Sequence, residues 1–181
     1  FDYLQFLLFF PTFSAGPIDR SRRFVEDIHQ TIPRAEYIEL LGAGLFRLVL
    51  GLVYKMVLSG LLYLALNHLP NKGFLFTTIS YMYVYTFYLF FDFAGYSLMA
   101  VGVSNIMGIQ TPMNFNKPFL SVDIKDFWNR WHISLSTWLR DFIFSRIVMK
   151  SMRYKWFKTR LTTAMFAYMI NMIFMGFWHG L

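Results

Sequence analysis

Two of the four histidines stand where an imidazole could do acid–base chemistry. His132 follows Trp131 in a stretch that alternates charged and aromatic residues, and His179 follows Trp178 at the end of an apolar run. A histidine in such a place is costly unless it faces a cavity or a partner, and a neutral imidazole can act as a general base. We therefore take both as candidate catalytic residues. His29 lies in a polar loop and His68 in a short turn, where solvated surface roles are expected.

Other kinds of catalytic or metal site have weaker support in the sequence. Ser134, Ser136 and Asp141 lie near His132 and would permit a Ser-His-Asp triad, but no Gly-x-Ser-x-Gly elbow accompanies them. The two candidate histidines are 47 residues apart and the chain has no cysteine, so no metal-ligand spacing is recognisable and no metal is expected. Asp92 could be a transporter-like proton relay, although pairing with Arg47 or Lys55 is the preferred interpretation.

The composition indicates that lipid surrounds these residues. Of 181 residues, 56% are hydrophobic, 21% are aromatic and only 15% are charged, against about 25% charged in an average soluble domain. A chain of this size has too few interior positions to bury so much apolar surface. The net charge of +7 is then better explained by a basic cytoplasmic face than by nucleic-acid binding. The fold class predicted is an all-α, polytopic integral membrane protein.

Hydropathy divides the chain into spans and polar connections. Loop charge predicts that residues 14–39 and the basic run 146–160 lie inside and 67–73 outside. A short helix is expected between Pro17 and Pro33. Phe1–Phe13 has the pattern of the tail of an apolar helix, and we expect residues 1–181 to be one membrane domain, incomplete at both ends. The predicted spans are 40–66, a long or broken helix from 74 past Asp92, and 161–178.

Residues 106–145 fit neither a span nor an ordinary loop. They predict a half-polar segment that lies at the interface or re-enters the membrane within protein. Ser121 or Asp123 could cap a helix there. That helix would carry Trp128, Trp131 and His132.

Four motifs, in order, resemble those of the membrane-bound O-acyltransferase (MBOAT) family. Residues 127–144, FWNRWHISLSTWLRDFIF, resemble the family's first histidine motif, and residues 176–180, GFWHG, resemble the second. FFPTFSAGPIDRSRRF (9–24) and FDFAGYSLMAVGVS (91–104) resemble two earlier family segments. The resemblance implies a ring of helices with re-entrant segments around a tunnel, with His179 and His132 matching the two family histidines.

The motifs can be compared with two branches of this family. Gly16–Arg20, residues 114–132 and Arg140–Phe144 resemble the branch that transfers D-alanine to teichoic acids. The alginate-type O-acetyltransferases usually continue the Arg-Asp pair with a glycine-containing loop, whereas Ser145–Arg160 has no glycine. The first branch is favoured. A non-enzymatic transporter or scaffold that uses Asp92, Arg47 and Lys55 is the alternative from another class.

The resemblance also implies substrates and partners. D-alanine would arrive as a phosphopantetheine thioester on a D-alanyl carrier protein, with no tightly bound cofactor, and would leave on teichoic or lipoteichoic acid hydroxyls. The location implied is multi-pass in the cell membrane of a Gram-positive bacterium, without nucleic acid as a partner. Trp128, Asn129 and Trp131 would line the pantetheine path, although core packing explains the tryptophans equally well.

The basic run offers a docking site for an acidic carrier. It holds six cations and no acid between Ser145 and Arg160. Charge would speed the encounter, and apolar anchors would slow dissociation. A pure topology signal is the competing explanation. The predicted docking residues are Ile147, Val148, Met149, Lys150 and Arg153.

Overall fold

The computed structural model describes residues 1–70 and 73–180. These residues form helices and connections without a β-strand. The chain divides into two compact units, Phe1–Asn114 and Phe115–Leu181. Each unit is described separately below.

The first unit opens with three short helices around an aromatic core. Helix α1 covers Asp2–Leu7, α2 covers Phe10–Phe13 and α3 covers Ser21–His29. The prediction of one apolar helix through Phe13 is wrong, because the chain leaves the helix at Leu8–Phe9 and Pro11 restarts it as the second residue of α2. The amphipathic α3, predicted between the two prolines, packs Phe24 against Phe6 and Phe9.

Arg23 ties α3 to the loop after the long helices. Its guanidinium pairs with Asp19, donates to Asp27 Oδ2 at 3.0 Å and contacts the carbonyl of Gln110. Asp27 Oδ2 also accepts the backbone N–H of Gln110 at 2.9 Å. A planar guanidinium with several fixed donors suits such a junction. Part of the positive charge that predicted a cytoplasmic side for residues 14–39 therefore has a structural role.

Two long antiparallel helices dominate the first unit. Helix α4 (Arg34–Leu52) continues through a π-helical segment (Val53–Leu58) into α5 (Ser59–Asn67). Helix α6 runs unbroken over Phe74–Ile106, so Asp92 and Gly95 do not interrupt it. At 1.5 Å per residue, α6 is about 50 Å long, more than the roughly 30 Å of bilayer hydrocarbon.

Glycines set how closely these helices approach. A Cβ on Gly95 would stand 2.7 Å from the Lys55 backbone nitrogen, and a Cβ on Gly102 would stand 2.7 Å from the Gly44 carbonyl oxygen. Gly51 meets the same restriction from the Gly95 carbonyl. Close backbone approach through small residues is a typical way for helices to associate in lipid.

An ion pair joins the helices beside the glycine contact. Lys55 Nζ lies 2.6 Å from Asp92 Oδ1, and the Lys55 backbone belongs to the π-helical segment. Tyr54 packs edge-on against Phe91 next to this pair, with ring centroids 5.1 Å apart. Pairing of Asp92 with Lys55, rather than with Arg47, resolves the alternatives left by the sequence.

The second unit is a series of short helices followed by one long helix. A 3-10 turn (Pro118–Leu120) precedes α7 (Ile124–Arg130) and α8 (Ile133–Leu139). Helix α8 passes through a π-helical segment (Arg140–Phe144) into α9 (Ser145–Arg153). Helix α10 covers Arg160–Gly180.

Three helical stretches are long and apolar enough to cross a bilayer. They match the spans predicted from hydropathy, with ends moved by up to several residues. They are Arg34–Asn67, Phe74–Ile106 and Arg160–Gly180. Many of their large side chains are exposed, including Phe46 at 68% and Met82 at 62%, as suits surfaces that face lipid or further protein.

Candidate functional site

Helix α7 is held rigidly before the first candidate histidine. Asp123 caps it by accepting the N–H of Asp126 at 2.6 Å, as one of the two predicted caps. Arg130 Nε donates to Asp126 Oδ1 at 2.8 Å. This hydrogen bond, and then the one from the Val122 N–H, holds the pKa of the Asp126 carboxyl below its usual value. Both ends of α7 are therefore joined through one carboxylate.

An aromatic cluster surrounds Trp131. Its ring stacks on Phe127 with centroids 5.5 Å apart and planes 18° apart. Phe115 and Phe119 approach edge-on at 5.2 and 6.2 Å, the geometry that aromatic quadrupoles favour. The N–H of Asn116 donates to the Arg130 carbonyl at 3.0 Å. Trp131 thus fixes the turn before His132, so packing accounts for its presence.

His132 is the N-cap of α8 and adopts a left-handed backbone conformation, with φ 44° and ψ 54°. Residues other than glycine seldom adopt it, at a cost of about 1–3 kcal/mol. The turn ends α7 and starts α8, and the His132 carbonyl accepts the Ser136 N–H at 3.0 Å. The prediction that His132 lies inside a helix is wrong, because this φ breaks the helix at the histidine itself.

Buried residues recur at every fourth position along α10 before His179. Thr163, Ala167, Asn171 and Met175 are spaced four apart and are all buried. Residues four apart share one helix face, and His179 is the next position in this row. The packed face ends at Met175, and His179 itself is exposed on the last turn of α10.

The structure brings the two imidazoles together. The ring centroids of His132 and His179 are 5.6 Å apart, with planes inclined by 60°. The His132 side chain is buried, with 5% of the residue exposed. Burial, and then the neighbouring His179, lower the pKa of His132. His132 is consequently neutral near pH 7. Its ring can accept or donate a hydrogen bond, and a small substrate group beside the pair is within reach of both imidazoles.

The structure supports a Ser-His-Asp triad or a metal site less well than it supports a pair of acid–base histidines. Ser136 Oγ donates to the Trp131 carbonyl at 3.3 Å, and Asp141 contacts Arg140. Both side chains therefore have partners outside a triad. Within residues 1–70 and 73–180, no group of three or more His, Asp or Glu side chains could hold a metal ion.

Trp128 and Asn129 lie on the outer part of α7. Trp128 is half-buried and edge-on to Phe127, with centroids 5.4 Å apart, while Asn129 is exposed. His29 and His68 are exposed as predicted. His29 Nε2 lies 2.9 Å from Asp2 Oδ2, and His68 Nδ1 lies 2.8 Å from the Leu64 carbonyl oxygen.

The predicted docking residues divide between two faces of α9. Ile147 and Val148 are half-buried beside the buried Ser151. Met149 is 62% exposed. The exposed face borders an open cavity of about 530 Å³, lined by Arg146, Met149, Lys150, Arg153 and Tyr154.

Sequence reasoning missed the left-handed turn and the packed row of α10. Histidine adopts the left-handed region more often than most residues, but residue type alone does not locate such a turn. Thr163, Ala167 and Asn171 stand out as small or polar residues within an otherwise apolar span, and their four-residue spacing could have identified the buried face of α10.

The three membrane-length helices and the family histidines define a polytopic, helical membrane protein with a candidate acid–base site. Residues 1–181 match the MBOAT, membrane-bound O-acyltransferase family, and the chain belongs to that family. The resemblance identified from the four motifs is therefore confirmed.

Individual relatives agree with the favoured branch. The chain is 52% identical to a teichoic acid D-alanyltransferase of Streptococcus thermophilus, over 99% of this chain and 45% of the relative. It is 50% identical to that of Bacillus subtilis, over 98% of this chain and 46% of the relative. A probable alginate O-acetylase of Pseudomonas aeruginosa is 34% identical, over 99% of this chain and 33% of the relative. The chain thus spans less than half the length of these relatives.

Proposed function

We propose that the full-length protein is a membrane O-acyltransferase that moves D-alanine from a carrier-protein thioester to teichoic or lipoteichoic acid hydroxyls. The family and the relatives at 46–52% identity support the reaction class. The observation that carries the proposal is the pairing of His132 with His179, 5.6 Å apart between ring centroids. A transporter would not require these rings to meet.

His179 is the proposed general base. A hydroxyl is a poor nucleophile at neutral pH, and an imidazole within hydrogen-bond reach can take its proton during attack, a contribution of about 10²–10⁴-fold. The new C–O bond forms at the thioester carbonyl as the C–S bond breaks. The proton held by His179 then passes to the departing thiolate, so the imidazole returns to its neutral state.

His132 is proposed to bind and orient the reacting groups. Its ring is buried and neutral, and the left-handed turn fixes its direction. A neutral imidazole N–H could donate to the thioester carbonyl as negative charge develops on its oxygen. Trp128 and Asn129 are proposed to line the pantetheine path on α7, whereas Trp131 supports the turn from within its aromatic cluster.

The carrier protein is proposed to dock on the exposed face of α9. Lys150 and Arg153 supply positive charge for an acidic partner, and the exposed Met149 supplies an adaptable apolar contact. Ile147 and Val148 would support this face from its half-buried side. Phosphopantetheine is in this proposal part of the substrate that the carrier brings.

The test is transfer by full-length protein in liposomes. D-alanyl carrier thioester is supplied on one side and lipoteichoic acid on the other. His179→Ala should abolish transfer while carrier binding persists, and His132→Ala should reduce it. His68→Ala is the matched control, because that exposed ring bonds the Leu64 carbonyl at the end of α5, and it should transfer normally. Normal D-alanylation by His179→Ala would reject the assignment.

An alginate-type O-acetyltransferase is the second candidate, supported by the relatives at 34% identity. The same liposomes distinguish it when acetyl donors replace the D-alanyl thioester. Faster acetyl than D-alanyl transfer would favour this alternative. Lys55 and Asp92 form an ion pair, so helix packing explains both charges and neither requires a transport function.

A further inference from the structure

A cavity of about 310 Å³ in the first unit lies away from any assigned chemistry. It is bordered by α4, by the end of α6 and by the segment 110–113. Its volume is at the lower end of the range for small-ligand sites. Its lining contains charges of both signs, which sets it apart from an ordinary packing gap.

The inner wall of the cavity is positive. Arg47 on α4 is half-buried, and its Nη1 contacts Asn105 when the Asn105 amide is oriented so that its oxygen accepts. In that orientation Asn105 Nδ2 donates to the Ile109 carbonyl at 3.2 Å. A guanidinium has five N–H donors, so most of them remain available. Among the described residues, Arg47 has no carboxylate within ion-pair distance.

Thr111 belongs to the same lining, but its hydroxyl is not accessible from the cavity. The residue is 6% exposed, and its Oγ1 has no hydrogen-bond partner among the described residues. A molecule in the cavity does not reach this hydroxyl, so Thr111 contributes shape and not a hydrogen bond. The Arg47 guanidinium supplies the charged donors that a phosphate requires on this wall.

The outer rim of the cavity is negative. Glu36 and Glu39 are both exposed and lie one turn apart near the start of α4. Arg47 follows Glu39 by about 12 Å of helix rise, and the long side chains of both residues shorten that gap. A ligand that satisfies both walls carries an anion on its inner side and a cation on its outer side.

The position along the helices indicates which molecule supplies this pattern. Helix α4 begins and α6 ends at the cavity, and both belong to stretches that exceed the hydrocarbon thickness. This end of the pair therefore lies at a membrane–water boundary. In a phospholipid the phosphate lies nearest the hydrocarbon, and an ethanolamine ammonium lies farther into the water.

We propose that this cavity binds the phosphoethanolamine headgroup of a membrane phospholipid. The phosphate lies against Arg47, and the ammonium lies near Glu36 and Glu39. An anionic headgroup without an ammonium, such as phosphoglycerol, is disfavoured by the two carboxylates. The site is independent of the histidine pair and of the proposed transfer reaction.

The test measures lipid binding to full-length protein in detergent by native mass spectrometry. The probes are phosphatidylethanolamine, phosphatidylglycerol with the same acyl chains, and soluble O-phosphoethanolamine. We expect one phosphatidylethanolamine, bound at least tenfold more tightly than phosphatidylglycerol. Arg47→Gln should weaken it about tenfold, and Thr111→Val should bind like wild type, because the Thr111 hydroxyl is not accessible from the cavity.

Substitutions at exposed positions test the proposal even where a substitution inside the cavity prevents folding. Glu36→Gln combined with Glu39→Gln should remove the preference for ethanolamine over glycerol headgroups. Arg34→Gln, a charge change on α4 outside the cavity lining, should preserve it. An unchanged preference in the double glutamate variant would overturn the proposal. Absence of bound lipid, or equal binding of soluble O-phosphoethanolamine, would do the same.

Discussion

The imidazole of His132 combines backbone strain with burial. Its left-handed φ of 44° would suit glycine better, yet the chain uses histidine there. Strained residues persist where the surrounding structure determines them, and they are frequent at functional sites. The aromatic cluster around Trp131 and the start of α8 supply that support.

Two substitutions at this residue separate backbone strain from chemistry. His132→Gly and His132→Ala both remove the imidazole, so both should lose transfer. The glycine variant should be the more stable, because left-handed strain costs alanine about 1–2 kcal/mol. The opposing unfolded-state freedom of glycine is worth only about 0.4–1 kcal/mol. Unfolding in detergent measures the difference, and an alanine variant of greater stability would contradict the strained turn.

The lowered pKa of His132 predicts how stability depends on pH. At a pH below the ordinary histidine pKa of about 6.5, the unfolded chain binds a proton at this imidazole that the folded protein does not bind. Stability should therefore be complete above that pH and fall as the pH drops below it. His132→Asn tolerates the left-handed backbone without titrating, so its unfolding temperature should depend less on pH between about 5 and 7. Equal pH dependence in both proteins would show that His132 is not held neutral.

At the scale of elements, close helix contact depends on particular glycines. A Cβ added at Gly95 would meet the backbone of Lys55, whereas a Cβ added at Gly60 on the same helix pair would have nothing within 4 Å. The two glycines therefore differ in surroundings while sharing helical geometry. The contact at Gly95 also brings Lys55 beside Asp92.

Alanine at these two glycines should have opposite effects. In a helix, alanine is intrinsically favoured over glycine by about 1 kcal/mol, so Gly60→Ala should be neutral or stabilising. Gly95→Ala would force backbone atoms apart and should lower the unfolding temperature. Thermal unfolding of full-length protein measures both. Equal effects would mean that α4 and α6 do not depend on this close approach.

For the whole molecule, the excess of positive charge bears on the encounter with an acidic carrier. The net charge is +7, and α9 with its following turn concentrates cations on an exposed surface. Charge at such a surface mainly accelerates association and is screened by salt. Apolar contacts instead govern how long the partner stays bound.

Carrier binding kinetics across a salt series test this division. Lys150→Gln with Arg153→Gln should slow association and flatten its salt dependence. Met149→Asp should speed dissociation at every salt concentration, because it replaces an exposed apolar contact with a charge that repels the carrier. Lys125→Gln, an exposed cation on α7, is the control and should bind nearly normally. Wild-type kinetics in both α9 variants would place the docking site elsewhere and leave the cations as topology signals.

The amino-acid sequence determined the features that depend on local pattern. Apolar length fixed the three membrane-length helices, because a backbone in lipid must satisfy its own hydrogen bonds. The prolines bounded α3, Asp123 capped α7, and the histidine motifs marked the family. These properties follow from residue type and spacing, so they can be predicted from the sequence alone.

Only the tertiary structure decided which distant residues meet and how the backbone turns between them. It paired Lys55 with Asp92, divided α9 into a packed and an exposed face, and opened the cavity beside Arg47. It also placed His132 in a left-handed turn beside His179, which lies 47 residues further along the chain. Such contacts depend on packing between elements, where many weak interactions jointly select one arrangement, and no local pattern encodes that sum.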